Sequence, residues 1–397
     1  MSDLYTLLGL AVAFTLAAGK YDNHLWRILL VVIYHHVSAV VVAGTGSFLL
    51  TKGLALVTYG LIWMTPMWAN LKYRQRRGCV FITGCDSGMG QATVVYLAQT
   101  QTANNHYEQI FAGCFSAKAS QEYFEKTLTP EQLKYVTVVP LDVTNDGSIQ
   151  AATATVDQWR ADQSKKFPDK DFGITGLCMY HGIAYNGPAA YMPMDMYERQ
   201  LQVNFLGFVR VIQHFLPIMQ THASPNLSGR IVLTGTGGGP CSPCPPLLTA
   251  YMASKFATEA YCQSLRQELF MTSSPIEVLM INPGFVKPTM LMEEGKKLTQ
   301  KMWELCEAKI GSSRAKDEYG PMMNHFMEYS AQQPGTHVTK VCEAAEHALL
   351  ANVPKSSYKV GIDSKLAPIV GMLPTGVRET IARHGIYGVL SPVGTVQ

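Results

Sequence analysis

A tyrosine and a lysine four positions apart are the residues of this chain best suited to proton chemistry. They stand in the run Tyr251-Met-Ala-Ser-Lys255, which begins a segment whose pattern predicts a helix to about Phe270. Residues spaced by four share one face of a helix, so the two side chains are expected to be neighbours. An ammonium near a phenol favours the phenolate and lowers the phenol pKa toward the working pH, as a general acid/base for an alcohol and its carbonyl requires. The pentapeptide alone is more typical of an amphipathic helix with a surface lysine.

A glycine-rich turn lies upstream of Tyr251 and Lys255 and supports a functional interpretation of that pair. Gly84, Gly88 and Gly90 follow the apolar run 80–82, which suits a buried strand, and a helical pattern begins at Met89. Glycines let backbone N–H groups approach a pyrophosphate while the chain turns, and the start of the helix adds its dipole. The spacing is Gly-x-x-x-Gly-x-Gly rather than the commoner Gly-x-Gly-x-x-Gly. The order strand, turn, helix predicts a nucleotide-phosphate site.

The elements that would position these residues alternate along the chain. Strands separated by helices predict parallel pairing and an α/β, Rossmann-like, doubly wound sheet, in a domain that covers residues 78–362. The predicted strands are 107–115, 135–140, 174–180, 229–234, 276–282 and an edge strand 358–362, and the predicted helices are 118–126, 147–163, 195–220 and 338–350.

Three uncharged apolar runs precede this domain, at residues 4–19, 28–51 and 53–71. A helix that crosses a bilayer needs about 20 residues, so the second and third runs qualify and the first is marginal. Residues 1–71 are therefore predicted to be a membrane anchor with two or three transmembrane helices. The basic cluster in 72–77 directly follows the third run and places the remaining domain on the cytosolic side. The expected location is a multi-pass membrane protein, with the endoplasmic reticulum as the expected organelle.

Composition limits the other functions. Charged residues make up 15% of the chain, below the usual quarter, and a net charge of +3 gives no reason to expect a nucleic-acid partner. The nine cysteines show no disulfide framework, which indicates a reducing compartment. Cys241 and Cys244 form the one Cys-x-x-Cys motif, but no matching second pair of ligands exists, so no metal site is predicted.

The two motifs together resemble the short-chain dehydrogenase/reductases. The motifs Thr-Gly-Cys-Asp-Ser-Gly-Met-Gly at 83–90 and Phe-Ala-Gly-Cys at 111–114 resemble those of one branch of the family. That branch includes retinol dehydrogenases, type 2 11β- and 17β-hydroxysteroid dehydrogenases and 3-hydroxybutyrate dehydrogenase. The resemblance covers about residues 78–390. It implies a substrate lid at about 287–335, and residues 363–397 would cap the substrate pocket or contact the membrane. Members commonly dimerise, so a homodimer is one expectation.

The resemblance assigns roles to individual residues. Tyr251 and Lys255 would be catalytic, joined by Asn204, whose backbone distortion would hold a water linked to the lysine. The usual serine is absent, and Thr236 aligns with it if the following loop is two residues longer, with Ser242 as a weaker substitute. The expected cofactor-binding residues are Thr83, Gly84, Asp86, Ser87, Gly88, Met89, Gly90, Ser116, Asp142, Val143, Gly182, Tyr251, Lys255, Pro283, Gly284, Val286 and Thr289.

Two of those residues bear on the choice of dinucleotide. Enzymes that take the 2′-phosphate usually offer a basic side chain where this chain has Asp86 and Ser116, and Asp86 would repel the phosphate. This favours NAD, while Lys118 keeps NADP open and Asp86 could instead cap the next helix. Asp142 would accept a hydrogen bond from the adenine amine, and a helix-capping Asp is the plainer interpretation.

A second departure from the family lies at the end of the fourth strand. The usual Asn-Asn-Ala-Gly is replaced by Met179-Tyr-His-Gly182, which puts His181 against the cofactor. The histidine is either a functional addition or, as the favoured interpretation, a packing replacement.

The resulting prediction is an NAD(P)-dependent oxidoreductase that interconverts a hydroxyl and a carbonyl on a lipophilic alcohol, a hydroxysteroid or retinol, and that works oxidatively with NAD. A membrane anchor suits substrates that partition into lipid. The alternatives are a hydroxy-acid dehydrogenase of the 3-hydroxybutyrate kind, suggested by Lys301-Met-Trp303, and a membrane scaffold that has lost turnover.

Overall fold

The computed structural model describes residues 78–104, 107–170, 172–222, 229–237, 239, 244–287, 295–311, 317, 319–332 and 335–381. By packing, the chain divides into residues 1–74 with 347–358, and residues 75–346 with 359–397. In the first unit, the His347 Nδ1 atom lies 2.8 Å from the Tyr358 hydroxyl. The second unit holds the glycine turn and the Tyr251 helix. Among the described residues no helix is both long and apolar enough to cross a bilayer; the three predicted spans lie outside those residues.

Nine strands and twelve α-helices are described. The strands are β1 Cys79–Thr83, β2 Gln109–Cys114, β3 Val136–Pro140, β4 Ile174–Met179, β5 Arg230–Thr234, β6 Glu277–Pro283, β7 Val286–Lys287, β8 Thr336–His337 and β9 Ser357–Val360. The helices are α1 Gly88–Asn104, α2 Ala117–Thr127, α3 Pro130–Leu133, α4 Asp146–Lys166, α5 Met194–Leu201, α6 Gly207–Thr221, α7 Thr249–Met271, α8 Gly295–Ile310, α9 Gly320–Gln332, α10 Thr339–Leu350, α11 Ile362–Gly371 and α12 Thr375–Ile381.

Seven strands form the main sheet in the order β3-β2-β1-β4-β5-β6-β9. The pairings from β3 to β6 are all parallel, which confirms the doubly wound sheet. The strand order reverses between β1 and β4, and ligands of such sheets bind in the crevice at the carboxyl ends of the strands at that point. The glycine turn follows β1 and therefore opens into this crevice.

The predicted elements are close to the observed ones, but the predicted helix 195–220 is interrupted by a π-helical turn at Gln202–Leu206, and the last strand of the sheet ends early. The edge strand predicted over 358–362 ends at Val360, because Gly361 takes a φ of 103° and Ile362 begins α11. A left-handed φ suits glycine and breaks the strand, and the chain then turns into a helix.

The core lies between the sheet and the helices that cover it. β1 and β4 are buried along their whole length, and the apolar run at 80–82 predicted this for β1. Phe81 on β1 packs on Phe215 of α6 with ring centroids 4.6 Å apart, and Leu177 and Phe208 belong to the same buried cluster. This packing fixes α6 against the centre of the sheet.

The glycine turn is too tight for side chains. A Cβ on Gly90 would lie 2.2 Å from the Gly84 carbonyl oxygen, and one on Gly84, which has a φ of 70°, would lie 2.6 Å from the His181 nitrogen. Backbone atoms cannot move aside cheaply, so the turn depends on glycine at both positions.

Gly90→Ala should therefore destabilise the protein by about 1 to 3 kcal/mol, because the new methyl group overpacks against backbone. The measurement is the thermal unfolding midpoint of the detergent-solubilised full chain. Gly376→Ala is the matched control, because a Cβ at that position in α12 meets nothing within 4 Å. Equal midpoints for Gly90→Ala and the unsubstituted protein would contradict the tight turn.

Candidate active site

The turn after β1 approaches the end of β4 closely. Thr83 is fully buried at the end of β1, and its hydroxyl lies 2.6 Å from Nδ1 of His181. The α1 helix begins at Gly88, one residue before the predicted start at Met89. The carbonyl of Met89 accepts a hydrogen bond from the Thr93 hydroxyl, and the carbonyl of Ser87 accepts one from the Gln91 amide. The observed order of strand, turn and helix is the one that the sequence predicted.

Asp86 joins this turn to the end of β2. Its carboxylate accepts hydrogen bonds from the backbone amides of Phe115 at 3.0 Å and Ser116 at 2.5 Å. These donors lie outside α1, so the alternative that Asp86 caps the next helix is not what the structure shows. Ser116 and Lys118 are exposed at the start of α2. The Asp86 carboxylate therefore lies at the end of β2, where the 2′-phosphate of NADP would be expected to bind.

Asp142 and Val143 follow β3. The Asp142 carboxylate accepts from both the amide and the hydroxyl of Thr144, at 2.9 and 2.7 Å. The N-cap of α4 is Asn145, whose side chain accepts from the Ser148 amide, so Asp142 is not the capping residue. Val143 is buried.

Asn204 lies in a π-helical turn, Gln202–Leu206, between α5 and α6. Such turns are rare and frequent at functional sites. The Asn204 side chain accepts from the Ile183 amide at 2.8 Å and donates to the Ile183 carbonyl at 2.8 Å and to the Ser254 hydroxyl at 3.0 Å. The backbone distortion that the resemblance implied is present. The Asn204 side chain links the loop that follows β4 to α7.

Tyr251 and Lys255 lie on α7, which spans the helix predicted for them. The Lys255 ammonium donates to the Thr234 carbonyl at 3.0 Å and lies 6.0 Å from the Tyr251 ring centroid. Burial lowers the pKa of Lys255 to about 8. Burial also raises the pKa of Tyr251, and a hydrogen bond from Thr236 opposes that rise. The pKa of Tyr251 is therefore raised, not lowered as the spacing to the lysine led us to expect, because desolvation of the phenol is the largest influence on it.

Thr236 is brought to the phenol by the loop after β5. Its hydroxyl hydrogen-bonds Tyr251, and its carbonyl accepts from the Gly239 amide at 2.9 Å, which closes a tight turn. The structure therefore brings the Thr236 hydroxyl to the tyrosine. Ser242, the weaker substitute, lies outside the described residues.

Gly182 lies between the lysine and the asparagine. A Cβ on this residue would lie 3.6 Å from the Lys255 ammonium and 3.4 Å from Oδ1 of Asn204. Gly182 itself is exposed, whereas Lys255 and Asn204 are buried. The absence of a side chain therefore leaves the lysine open to a ligand from this side.

His181 is a buried, neutral side chain that packs against a neighbouring aromatic ring. Its ring stacks on Phe208 with centroids 4.1 Å apart, and its Nδ1 is engaged by Thr83. Burial and the nearby charge of Lys255 lower the pKa of His181 to about 3. Its Nε2 has no hydrogen-bond partner among the described residues. These contacts favour the packing interpretation over a proton-transfer role.

The loop after β6 holds the other predicted cofactor residues. Pro283 and Val286 are buried, and the Gly284 amide donates to the Val360 carbonyl at 2.8 Å. A Cβ on Gly284 would collide with the Asp363 carboxylate, so a side chain there would have to displace that carboxylate. Thr289, expected to bind the carboxamide, lies outside the described residues.

Sequence reasoning missed the residues that hold this loop in place. Asp363 accepts from the Phe285 amide at 2.8 Å, and the Ser364 hydroxyl donates to the Asn282 carbonyl at 2.6 Å. The buried Glu259 accepts from the Asn282 side-chain amide at 3.1 Å. Glu259 follows Lys255 by four residues on α7, and this spacing was its only signal; the other two stand in a segment that the pattern assigned to a tail.

A cleft of about 490 Å³ lies between α8 and α9, in the segment predicted to be the lid. The loop after Gly182 leads to it, because the Asn186 side chain donates to the Thr299 hydroxyl at 3.1 Å. Cys306 of α8 packs with Ala250, the neighbour of Tyr251, in one buried cluster. The cleft is lined by Thr299, Gln300, Trp303, Glu307, Gly320, Pro321, Met323 and Asn324.

Several curated proteins are similar to this chain over most of its length. Short-chain dehydrogenase/reductase family 9C member 7 of Homo sapiens is 29% identical, covering 76% of this chain and 88% of that protein. The 3beta-hydroxysteroid dehydrogenase dhs-16 of Caenorhabditis elegans is 29% identical, covering 78% and 74%. Retinol dehydrogenase 16 of Homo sapiens is 29% identical, covering 76% and 86%.

The fold is shared with solved structures, and the sequence matches a family model. The crystal structure of gox2181 superposes with a TM-score of 0.53 at 20% identity, covering 73% of this chain and 96% of that one. The family model described as short chain dehydrogenase matches residues 78–299, more than half of the chain. The chain belongs to the short-chain dehydrogenase family and is an enzyme of that family.

Proposed function

We propose that the protein is a membrane-anchored oxidoreductase that interconverts a hydroxyl and a carbonyl on a lipophilic alcohol, a hydroxysteroid or retinol, and that works oxidatively with NAD. The observation that supports this most is the meeting of Tyr251, Lys255, Thr236 and Asn204 beside the crevice between β1 and β4. These side chains come from separate parts of the chain, and together they supply a proton donor, a cation, a hydroxyl and a polar relay.

The cofactor of the enzyme is NAD or NADP, and the residues of the crevice fit such a dinucleotide. The turn from Gly84 to Gly90 exposes backbone amides at the start of α1, where a pyrophosphate finds both donors and the helix dipole. Gly182 leaves the lysine accessible, because a side chain there would fill the space beside the ammonium. Asp142, at the end of β3, offers a carboxylate to the adenine amine. When bound, the nicotinamide supplies the acceptor or donor of hydride.

The residues of this chain handle the proton. Tyr251, as phenolate, takes the hydroxyl proton at its oxygen, and Thr236 holds the substrate oxygen through its hydroxyl. While it is charged, Lys255 would favour the phenolate against the desolvation that raises the Tyr251 pKa, and it would hold the cofactor ribose. Asn204 supports a water that carries the proton onward from the lysine.

The substrate class is proposed from the relatives and from the cleft. The relatives include a 3β-hydroxysteroid dehydrogenase and a retinol dehydrogenase. The described residues that line the cleft include the apolar side chains of Trp303 and Met323 and the carboxylate of Glu307. That carboxylate would repel the carboxylate of a hydroxy acid, so this lining supports an uncharged alcohol over 3-hydroxybutyrate.

The proposed location is a multi-pass membrane protein of the endoplasmic reticulum with the catalytic domain facing the cytosol. Its support is the uncharged runs at 28–51 and 53–71 and the basic cluster that follows them.

Tyr251→Phe should lower turnover at least 100-fold, because the phenol oxygen is the proposed acceptor of the proton. The measurement is NADH fluorescence from membranes carrying the full chain, supplied with NAD or NADP and retinol, hydroxysteroids or 3-hydroxybutyrate. Since burial raises the Tyr251 pKa, oxidation should also accelerate as the pH rises from 7 toward 8, and the gain should level off above pH 8 as Lys255, whose pKa is about 8, loses its charge.

Tyr261→Phe is the matched control, because Tyr261 lies on the same helix, packs against the core and the Phe205 ring, and has no role in the proposed reaction. It should keep normal turnover. Turnover by Tyr251→Phe equal to that of the control would overturn the proposed mechanism. Bound NADH without turnover on any alcohol would support the scaffold alternative, and turnover on 3-hydroxybutyrate alone would support the hydroxy-acid alternative.

Asp86→Asn should shift cofactor use toward NADP, because it removes the charge that occupies the corner beside Phe115 and Ser116. The ratio of kcat/KM for NAD to that for NADP should fall about tenfold or more, which corresponds to about 1.4 kcal/mol of discrimination. Glu122→Gln, an exposed residue on α2, carries the same change of charge and should leave the ratio unchanged. An equal shift in both variants would show that only net charge matters.

The sequon Asn226-Leu-Ser228 should carry no glycan, because the domain is proposed to face the cytosol. The measurement is the electrophoretic mobility of the protein from microsomes before and after glycosidase treatment. Asn226→Gln supplies the mobility of the unglycosylated chain. A mobility change on treatment that Asn226→Gln abolishes would reverse the proposed orientation.

A further inference from the structure

A buried carboxylate that the proposed reaction does not use lies one helical turn beyond the lysine. Glu259 follows Lys255 by four residues on α7 and is only 7% exposed. Burial of a carboxyl group is costly unless it is paired or hydrogen-bonded. Oε2 of Glu259 accepts from the Asn282 side-chain amide at 3.1 Å, and Oε1 accepts from the Gln263 side-chain amide at 3.3 Å. One of its two oxygens is therefore bonded within α7 and the other to the end of β6.

The bond to Glu259 fixes the direction in which the Asn282 side chain points. A carboxylate oxygen accepts hydrogen bonds, so the amide nitrogen of Asn282 faces Glu259 and its oxygen Oδ1 faces the other way. Oδ1 lies against Gly235, where an added Cβ would be 2.0 Å from it. Asn282 is fully buried, and its Oδ1 has no hydrogen-bond partner among the described residues. The asparagine is therefore held by Glu259 on one side and packs on the first residue after β5 on the other.

Glu259 also contacts the far end of the loop after β5. A Cβ on Gly239 would lie 3.3 Å from Oε2 of Glu259, and the Gly239 amide donates to the Thr236 carbonyl at 2.9 Å. We call residues 235–237 and 239 the Thr236 turn. Glu259 and Asn282 thus contact this turn at Gly239 and at Gly235, and Thr236 lies between the two contacts.

The Thr236 turn depends on these contacts more than the loop after β6 does. A Cβ on Gly237 would lie 3.2 Å from the Gly284 Cα atom, so the two loops touch by packing. The Asn282 backbone belongs to β6, and its carbonyl accepts from the Ser364 hydroxyl at 2.6 Å. Loss of the bond between Glu259 and Asn282 would therefore move the Thr236 turn before it moves the predicted cofactor residues.

We propose that Glu259, through the Asn282 side chain, is a positioning residue that sets where the Thr236 hydroxyl meets Tyr251 and the substrate oxygen. The inference rests on the proposed function, which gives that hydroxyl its role. The hydroxyl already bonds Tyr251, and a misplacement of about 1 Å in such a site can lower a rate about 100-fold.

The test is a double-mutant cycle with Thr236, which uses NADH formation by membranes that carry the full chain. Glu259→Ala should lower kcat about tenfold or more, because the Asn282 amide loses its acceptor and the Thr236 turn shifts. The KM for NAD should change less than about twofold, because the loop after β6 keeps its own bonds. Thr236→Ala should lower kcat at least as much, and Glu259→Ala should lower it no further in that background. Effects of independent residues would multiply instead.

Conservative variants separate positioning from a general loss of the fold. Glu259→Gln keeps an oxygen for the Asn282 amide and should retain kcat within about threefold. Asn282→Asp should lower kcat as Glu259→Ala does, because it sets one carboxyl group against another. Addition of Glu259→Gln to Asn282→Asp restores a donor and an acceptor in the reverse direction and should recover most of kcat. Glu268→Ala, at an exposed glutamate on the same helix, is the matched control and should leave kcat unchanged. NADH binding and the thermal unfolding midpoint report whether each variant is folded.

Three results would overturn the inference. These are multiplying effects of Glu259→Ala and Thr236→Ala on kcat, a raised KM for NAD at normal kcat in Glu259→Ala, and no recovery in the variant with both Glu259→Gln and Asn282→Asp. A lowered kcat in Thr236→Ala beside a normal kcat in Glu259→Ala would overturn this inference and leave the proposed function in place. A normal kcat in Thr236→Ala, or no turnover by the unsubstituted protein, would overturn the proposed role of Thr236 and this inference with it.

Discussion

The buried ammonium of Lys255 is the constraint on which the arrangement of the site depends. The residue is 4% exposed, and a charge so placed is costly unless it is paired or hydrogen-bonded. The Thr234 carbonyl accepts from it at 3.0 Å, and the Phe208 ring lies 5.3 Å away. Thr234 ends β5 and Phe208 begins α6, so the sheet and two helices must dock together before this charge is compensated.

The charge in turn decides the state of its neighbours. His181, whose pKa it helps to lower, is held neutral and packs as an aromatic ring on Phe208. This ring fits because Gly207 has no side chain; a Cβ there would lie 3.2 Å from Nε2 of His181. The Thr83 hydroxyl then ties the ring to the end of β1. The departure from the family's usual sequence after β4 is thus compensated by contacts with α6 and β1, which keep the turn and the lysine in register.

Local patterns predicted those parts of the fold that local forces determine. The buried strand before Gly84 and the helix from Thr249 both followed from periodicity, and the π-helical turn at Asn204 followed from the resemblance. The pKa of Tyr251 could not be read from spacing, since it depends on how fully the folded chain desolvates the phenol. The bonds of Asp86 to Phe115 and Ser116 were equally invisible, because they join residues about thirty positions apart. Periodicity also missed the end of β9, where one left-handed glycine redirects the chain.

Residues 363–371 were assigned to a C-terminal tail from the sequence, but in the structure they contact the loop that holds predicted cofactor residues. The loop after β6 exposes backbone donors at Gly284 and Phe285 and an acceptor at Asn282, and such groups must find partners when buried. Val360, Asp363 and Ser364 supply them from about eighty residues further along the chain. These polar groups therefore have their partners only when α11 is in place. A substitution that displaces this short helix should act on the neighbouring predicted cofactor residues Pro283 and Gly284 as well.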